Sequence, residues 1–379
     1  MQAPLASRVG YLDVVRGAAV GLVVLEHGWG ERFPGAGIVG VVLFFVLSGY
    51  LITGVLVRDA DRQGTVDYRR FYAHRAFRLL PALLLFLTTV VLVELSTNMV
   101  GDASVVKMTI TVVAALLYLK DFPIPGVSAL IAPLWTLSVE EQFYLIWPGL
   151  LARAVKARRT KRLLLVSTAV ILVCLVASIV GALVFLPQYF KYVYSLPTTW
   201  SLGLVIGAAA QLFKTSATRF FAGRCASIGA LSISLLVVAG MCFIPGASTS
   251  PLMFLLGGPL IMVAGAVIVT VIVAHPAPVP FYMQPLRWLG TISYAVYLWN
   301  YAANLWLNHG SGDGASPGAR VEAVLLTLAV ATLSWFTVEA GGRRLRDRFD
   351  SRQRAHLVTR TSPTEPIESP KRAKPASAG

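Results

Sequence analysis

Charge is what this chain has least of. Asp, Glu, Lys and Arg make up 13% of its 379 residues, about half the roughly 25% of a soluble globular domain. That shortage excludes an ordinary soluble fold, and a mean hydropathy of +0.69 agrees. Acid is scarcer than base, 18 residues against 33, for a net charge of +15. In a soluble protein such an excess would point to nucleic acid. Here the basic residues lie between apolar runs and in the tail, which is the footprint of the positive-inside rule, so no nucleic-acid partner is expected. Cysteine is nearly absent: Cys174, Cys225 and Cys242 sit in or beside apolar runs without paired spacing. A disulfide framework is excluded, no metal site is expected, and each cysteine reads as a small buried hydrophobe. The first apolar run also lacks a small-residue cleavage site, so no cleavable leader is expected.

What is present is a series of apolar segments: 12–29, 38–57, 79–97, 105–119, 134–152, 163–186, 193–213, 226–244, 252–274, 287–308 and 321–341. Most have the length a bilayer requires, which predicts an all-α, polytopic transmembrane helical bundle in the cell membrane. Basic clusters at Arg58–Arg78, Arg153–Arg162, Lys214–Arg224 and Arg343–Arg348 should be cytoplasmic, while "GERFPGAG", "NMVGDAS" and "HGSGDGASPG" carry little charge. Both termini then read as cytoplasmic, which demands an even number of crossings. Eleven segments therefore reduce to about ten crossings plus one partial or re-entrant element. The suspects are 105–119, which is short, and 134–152, which carries two glutamates. Between them "DFPIPGVSALIAP" looks like backbone dipping into protein beside a cavity. Residues 1–345 form the membrane domain, and the basic, Pro/Ser-rich tail 346–379 is expected to be disordered.

Several segments hold polar groups that a purely structural span would not keep. In "YLDVVRGAAVGLVVLEHGWG", Arg16 and His27 are eleven residues apart. At about 100° and 1.5 Å per residue they share a helix face and lie roughly 16 Å apart along the axis. Asp13 joins them on that side. Ionisable groups in lipid normally face a bundle interior or an aqueous cavity; the plainer reading is a snorkelling Arg16 and a His27 among headgroups. In "FFVLSGYLIT", Ser48-Gly49 allows close backbone approach. In "FYAHRAFRLLPA", Arg75 and Arg78 share a face at an expected helix start near Pro81, a plausible phosphate site, or simple topology anchors. "LWTLSVEEQFYLIWP" places Glu140 and Glu141 in an apolar aromatic helix with Trp135, Ser138 and Tyr144. Neighbouring positions point about 100° apart, so Glu140 is expected to face the cavity and pair with Arg16, Arg75 or Arg78, whereas Glu141 should not share that partner. "WLGTISYAVYLWN" brings Tyr294, Tyr297 and Asn300, which aromatic interface anchoring would also explain.

Taken together, "LDVVRGAAVGLVVLEH", "FFVLSGYLIT", "FYAHRAFRLLPA", "LWTLSVEEQFYLIWP" and "ISYAVYLWN" resemble, in order over residues 10 to 340, the acyltransferase-3 family of integral membrane O-acyltransferases. Arg16 and His27 fit the family's Arg-x10-His signature, and Arg75 and Arg78 its arginine pair before a proline. The resemblance implies transfer of an acyl group from cytoplasmic acyl-CoA (acetyl-CoA or a longer acyl-CoA) to a hydroxyl of a carbohydrate-containing acceptor: a glycolipid, a polysaccharide or a glycosylated metabolite. It implies His27 as general base, or as the site of an acyl-imidazole. Arg16 would orient the donor or stabilise developing charge, Glu140 would hold partners, and Arg75 and Arg78 would bind the coenzyme. Asp13, Ser48, Trp135, Ser138, Glu141, Tyr144, Tyr297 and Asn300 would support the substrates. One position departs: family members often have His after "YLW", where this chain has Asn300, which can position but not carry a proton. No hydrolase-like domain of the kind some members append is expected, so transfer would be completed within the membrane unit or by a partner. Two other classes compete. A transporter or flippase would use Arg16, His27 and Glu140 as a polar relay, and a non-catalytic assembly protein would tolerate loss of the stripe.

Overall fold

Polar caps set where helices begin. The Asp67 carboxylate accepts from the Arg70 N–H at 2.9 Å and Ser104 Oγ from the Lys107 N–H at 3.1 Å, satisfying donors that a first helical turn leaves unpaired. The computed structural model describes residues 10–98, 104–308 and 316–361, and among these there is helix but no strand. In chain order the helices are α1 (Gly10–Trp29), α2 (Ala36–Gln63), α3 (Tyr68–Thr97), α4 (Val105–Leu116), α5 (Trp135–Lys156), α6 (Thr160–Phe185), α7 (Pro197–Leu212), α8 (Lys214–Phe220), α9 (Arg224–Met241), α10 (Gly258–Ala274), α11 (Gln284–Thr291), α12 (Ser293–Leu307), α13 (Pro317–Ser334) and α14 (Ala340–Thr361).

Among the described residues seven helical stretches are long and apolar enough to cross a membrane, which makes this a polytopic membrane bundle. A count of ten crossings requires α1, α5 and α12 as well. All three carry polar residues of the motifs, and α12, with 15 residues, is also shorter than a full span and follows α11 across the break at Ile292. The short element is α4. Its 12 residues extend about 18 Å, well short of the ~30 Å hydrocarbon core, whereas the 22 residues of α5 extend about 33 Å. The linker after α4 lies against protein. Gln142 Nε2 donates to the Tyr118 carbonyl and the Asp121 carboxylate, Ser138 Oγ accepts from the Lys120 N–H, and Ser195 Oγ donates to the Asp121 carbonyl. Side chains of α5 and its neighbours thus satisfy backbone that lipid could not.

Four expectations change. First, α3 begins at Tyr68, so Arg75, Arg78 and Pro81 lie inside it rather than at its start. Gly64, at φ 71°, and the Asp67 cap reverse the chain early, and the helix-terminus argument for a phosphate site falls away. Pro81 cannot bond the Phe77 carbonyl four residues back. Gly342 of α14 packs onto that carbonyl, where a Cβ would overlap it. Second, segment 287–308 is two helices, α11 and α12, broken at Ile292. Third, the basic clusters are mostly helix ends joined by tight turns, not loops; only residues 64–67 separate α2 from α3, and 157–159 separate α5 from α6. Fourth, α14 runs to Thr361, across the boundary drawn at 346; the proline-rich composition starts only at Pro363. Residues beyond 361 and the loop 309–315 lie outside the described residues. Of the cysteines, Cys242 is buried, Cys174 partly so, and Cys225 is exposed on the first turn of α9.

Glycines set the tightest crossings. A Cβ on Gly49 of α2 would overlap the Leu204 carbonyl, and one on Gly207 of α7 the Val46 carbonyl. The two helices are therefore in backbone contact, as small residues permit in membranes. Gly17 of α1 and Gly290 of α11 make a second such crossing against the carbonyls of Leu286 and Asp13. Two apolar clusters result. One joins α1, α2, α7 and α10 through Val23, Val42, Phe45, Leu204 and Ile261. The other joins α3, α12 and α13 through Leu83, Phe86, Val296 and Ala331. The site lies along the seam between them.

Candidate active site

The first cavity opens toward the end where the basic helix termini gather. Arg16, Ser48, Arg75, Arg78, Glu140, Tyr144, Tyr294 and Tyr297 line it, with apolar walls from Phe44, Leu51, Ile52 and Leu298. Arg16 lies 3.5 Å from Asp13 on its own helix. Arg75 is nearly enclosed. Its Nη2 is 2.5 Å and its Nε 2.6 Å from Glu141 Oε1, while Nη2 is 3.7 Å from Glu140 Oε2. Its guanidinium also stacks 3.6 Å from the Tyr144 ring centre. One arginine therefore holds both glutamates. Two adjacent helical positions diverge by about 100°, but a long side chain lying across α5 from α3 spans that angle. The expectation that Glu141 would not share Glu140's partner is corrected. Glu140 alone of the pair lines the cavity, and it accepts from Ser48 Oγ at 2.8 Å. Arg75 is thus committed to carboxylates, while Arg78 is exposed at the mouth.

The second cavity, of about 280 Å³, lies at the other end of α1. Glu26, His27, Lys120, Trp135, Tyr192, Tyr194, Tyr297 and Tyr301 line it. His27 Nδ1 is 2.5 Å from Asn300 Oδ1. An amide oxygen only accepts, so Nδ1 carries the proton and Nε2 keeps a lone pair. The Tyr301 ring meets the imidazole edge-on at 5.1 Å. Asn300 is fully buried, and its Nδ2 has no hydrogen-bond partner among the described residues. Glu26 is anchored at one oxygen by the Gly37 N–H.

Tyr297 lines both cavities, as does Val41. The Tyr297 hydroxyl donates to the Pro133 carbonyl at 2.7 Å and accepts from Thr136 Oγ1 at 2.8 Å. The aromatic side chain is thus bolted between the two spaces. Arg16 and His27 share a helix but line different cavities. Ser138 lines neither cavity; it holds the linker. Sequence reasoning passed over Glu26, Lys120, Tyr192, Tyr194 and Tyr301. Glu26 had a signal, a carboxylate beside His27 in an apolar helix. Tyr301 directly follows Asn300 of the "ISYAVYLWN" stretch, whereas Lys120, Tyr192 and Tyr194 had no signal, because the linker and the 3-10 turn before α7 meet α1 only through tertiary packing.

The acyltransferase-3 profile, described as an acyltransferase domain, matches residues 9–339, and the chain belongs to that family. It is 31% identical over 321 residues to peptidoglycan O-acetyltransferase OatA of Listeria monocytogenes serovar 1/2a, covering 76% of this chain and 48% of that protein. It is 30% identical over 314 residues to the "Putative peptidoglycan O-acetyltransferase YrhL" of Bacillus subtilis strain 168, with the same two coverages. The chain spans about half the length of these curated relatives. No solved structure matches.

Proposed function

We propose that this chain is a membrane O-acyltransferase that moves an acyl group, acetyl in the simplest case, from cytoplasmic acyl-CoA to a hydroxyl of a carbohydrate acceptor such as peptidoglycan. One observation carries the reading. His27, its tautomer set by Asn300, faces one cavity, and Tyr297, together with Val41, lines both that cavity and the arginine-lined one.

The donor enters at the end with the basic helix termini, which the positive-inside rule assigns to the cytoplasm. Arg78 at the mouth meets its phosphates, with Arg16 deeper in. Arg75 acts as a positioning residue, fixing Glu140, Glu141 and Tyr144. The first cavity holds about 120 Å³, below the ~300–1,000 Å³ of complete ligand sites. It therefore takes the pantetheine end while the nucleotide stays at the surface. The acceptor occupies the second cavity. His27 Nε2 removes the hydroxyl proton as the oxygen attacks the thioester carbonyl carbon. The C–S bond then breaks, and the proton passes from His27 to the departing coenzyme sulfur. For the thioester to reach His27, Tyr297 must turn aside.

Purified protein in lipid, given labelled acetyl-CoA and a saccharide, should form an alkali-labile O-acetyl product. His27→Gln should abolish it with the fold retained. Turnover by a well-folded His27→Gln protein would sink this mechanism. Saccharide movement without a covalent product would favour the transporter class instead.

A further inference from the structure

Lys120 and Asp121 are neighbours in the linker, and the chain sends them opposite ways. Asp121 is fully buried: its Oδ2 accepts from Gln142 Nε2 at 2.9 Å and its backbone carbonyl from Ser195 Oγ. Lys120 lines the His27 cavity instead. Its backbone N–H is pinned by Ser138 Oγ at 3.1 Å, which fixes where the side chain starts. Among the described residues its ammonium makes no ion pair and no hydrogen bond. The one acid among the residues lining the cavity, Glu26 near the end of α1, accepts from the Gly37 N–H and makes no ion pair with Lys120 among the described residues. Burial lowers Lys120 from the ordinary lysine value by more than the neighbouring Asp121 carboxylate raises it.

A half-buried cation beside a candidate general base costs stability unless something answers its charge. Aromatic side chains are prominent in the rest of the wall, among them Trp135, Tyr192, Tyr194 and Tyr301. Such rings cover the apolar faces of a sugar, and the ammonium reads a charged substituent. We propose that the acceptor taken by this cavity is an anionic saccharide, and that Lys120 is the specificity-determining residue that binds its carboxylate or phosphate. The inference rests on the second cavity being the acceptor site of the proposed reaction.

The test is direct binding to the full-length protein in phosphatidylcholine nanodiscs, which needs no turnover. The probes are methyl glucoside, methyl glucuronide and glucose 6-phosphate. Wild type should bind one or both charged probes roughly tenfold or more tightly than the neutral one, the size of a charge-assisted hydrogen bond; which of them binds identifies the anion. Lys120→Gln should erase the preference and Lys120→Arg should keep it, both with wild-type melting behaviour. Equal affinity for all three, no binding of any, or a preference surviving in Lys120→Gln would overturn the proposal. Acetyl transfer, measured in parallel, separates the two ideas. Preference without transfer removes the reaction but keeps the anion site, and transfer without preference does the reverse.

Discussion

His27 has one polar partner of fixed chemistry, and that partner decides what the ring can do. Because Asn300 Oδ1 can only accept, it holds the proton on Nδ1 and leaves Nε2 for the acceptor. Asn300→Ala should therefore leave the protein folded and slow transfer by about tenfold, the upper range of one net hydrogen bond, with little change in the KM for acyl-CoA. A larger fall in that affinity than in turnover would mean Asn300 serves the donor. The glutamates divide differently. Glu141 makes the shorter contacts with Arg75, while Glu140 also touches Ser48 and the cavity. Glu141→Gln should lower the melting temperature more, and Glu140→Gln should lower turnover more. Arg75→Gln strands two carboxylates and should cost roughly 3–5 kcal/mol. Arg78→Gln should raise the KM for acyl-CoA several-fold at unchanged stability. The reverse pattern for the two arginines would exchange their roles.

At the scale of elements, the α2–α7 crossing is built on Gly49 and Gly207, where any side chain meets a facing carbonyl. Gly207→Leu should destabilise by at least the ~1–3 kcal/mol typical of overpacking, seen as a lower melting temperature in detergent. Unchanged melting would mean that this contact is looser than described. Much of this level could be read from the sequence: apolar runs placed most helices, and Ser48-Gly49 marked a close approach. The misplaced start of α3 came from weighting Pro81 as a helix-start signal over Asp67, although both patterns are local. The break between α11 and α12 has no such signal, since "GTIS" carries no proline and no charge. It exists because Gly290 must lie on the Asp13 carbonyl while α12 turns to present Asn300 to His27.

For the whole molecule, the sequence placed the arginine pair and the histidine on one path through the bundle but had no means of dividing that path. Periodicity gives the face of each helix, whereas the wall at Tyr297 depends on α12 reaching Pro133 and Thr136 across the seam. Tyr297→Phe loses the hydroxyl and both of its hydrogen bonds, and should speed acetyl-CoA hydrolysis without acceptor. No change in that leak would show that Tyr297 does not hold the thioester back. Topology has its own check. Ala157→Cys, in the turn between α5 and α6, should resist an impermeant thiol reagent in intact cells and react after lysis. Labelling from outside would invert the bundle and put Arg78 away from cytoplasmic acyl-CoA. The central claim is that donor and acceptor enter from opposite ends of one bundle and meet past Tyr297. Sealed, uniformly oriented vesicles test it most directly, with labelled acetyl-CoA on the side of the basic helix ends and saccharide sealed on the other. O-acetylated saccharide should accumulate in the saccharide compartment with wild type and not with His27→Gln; product formed only when both substrates share one side would contradict the account.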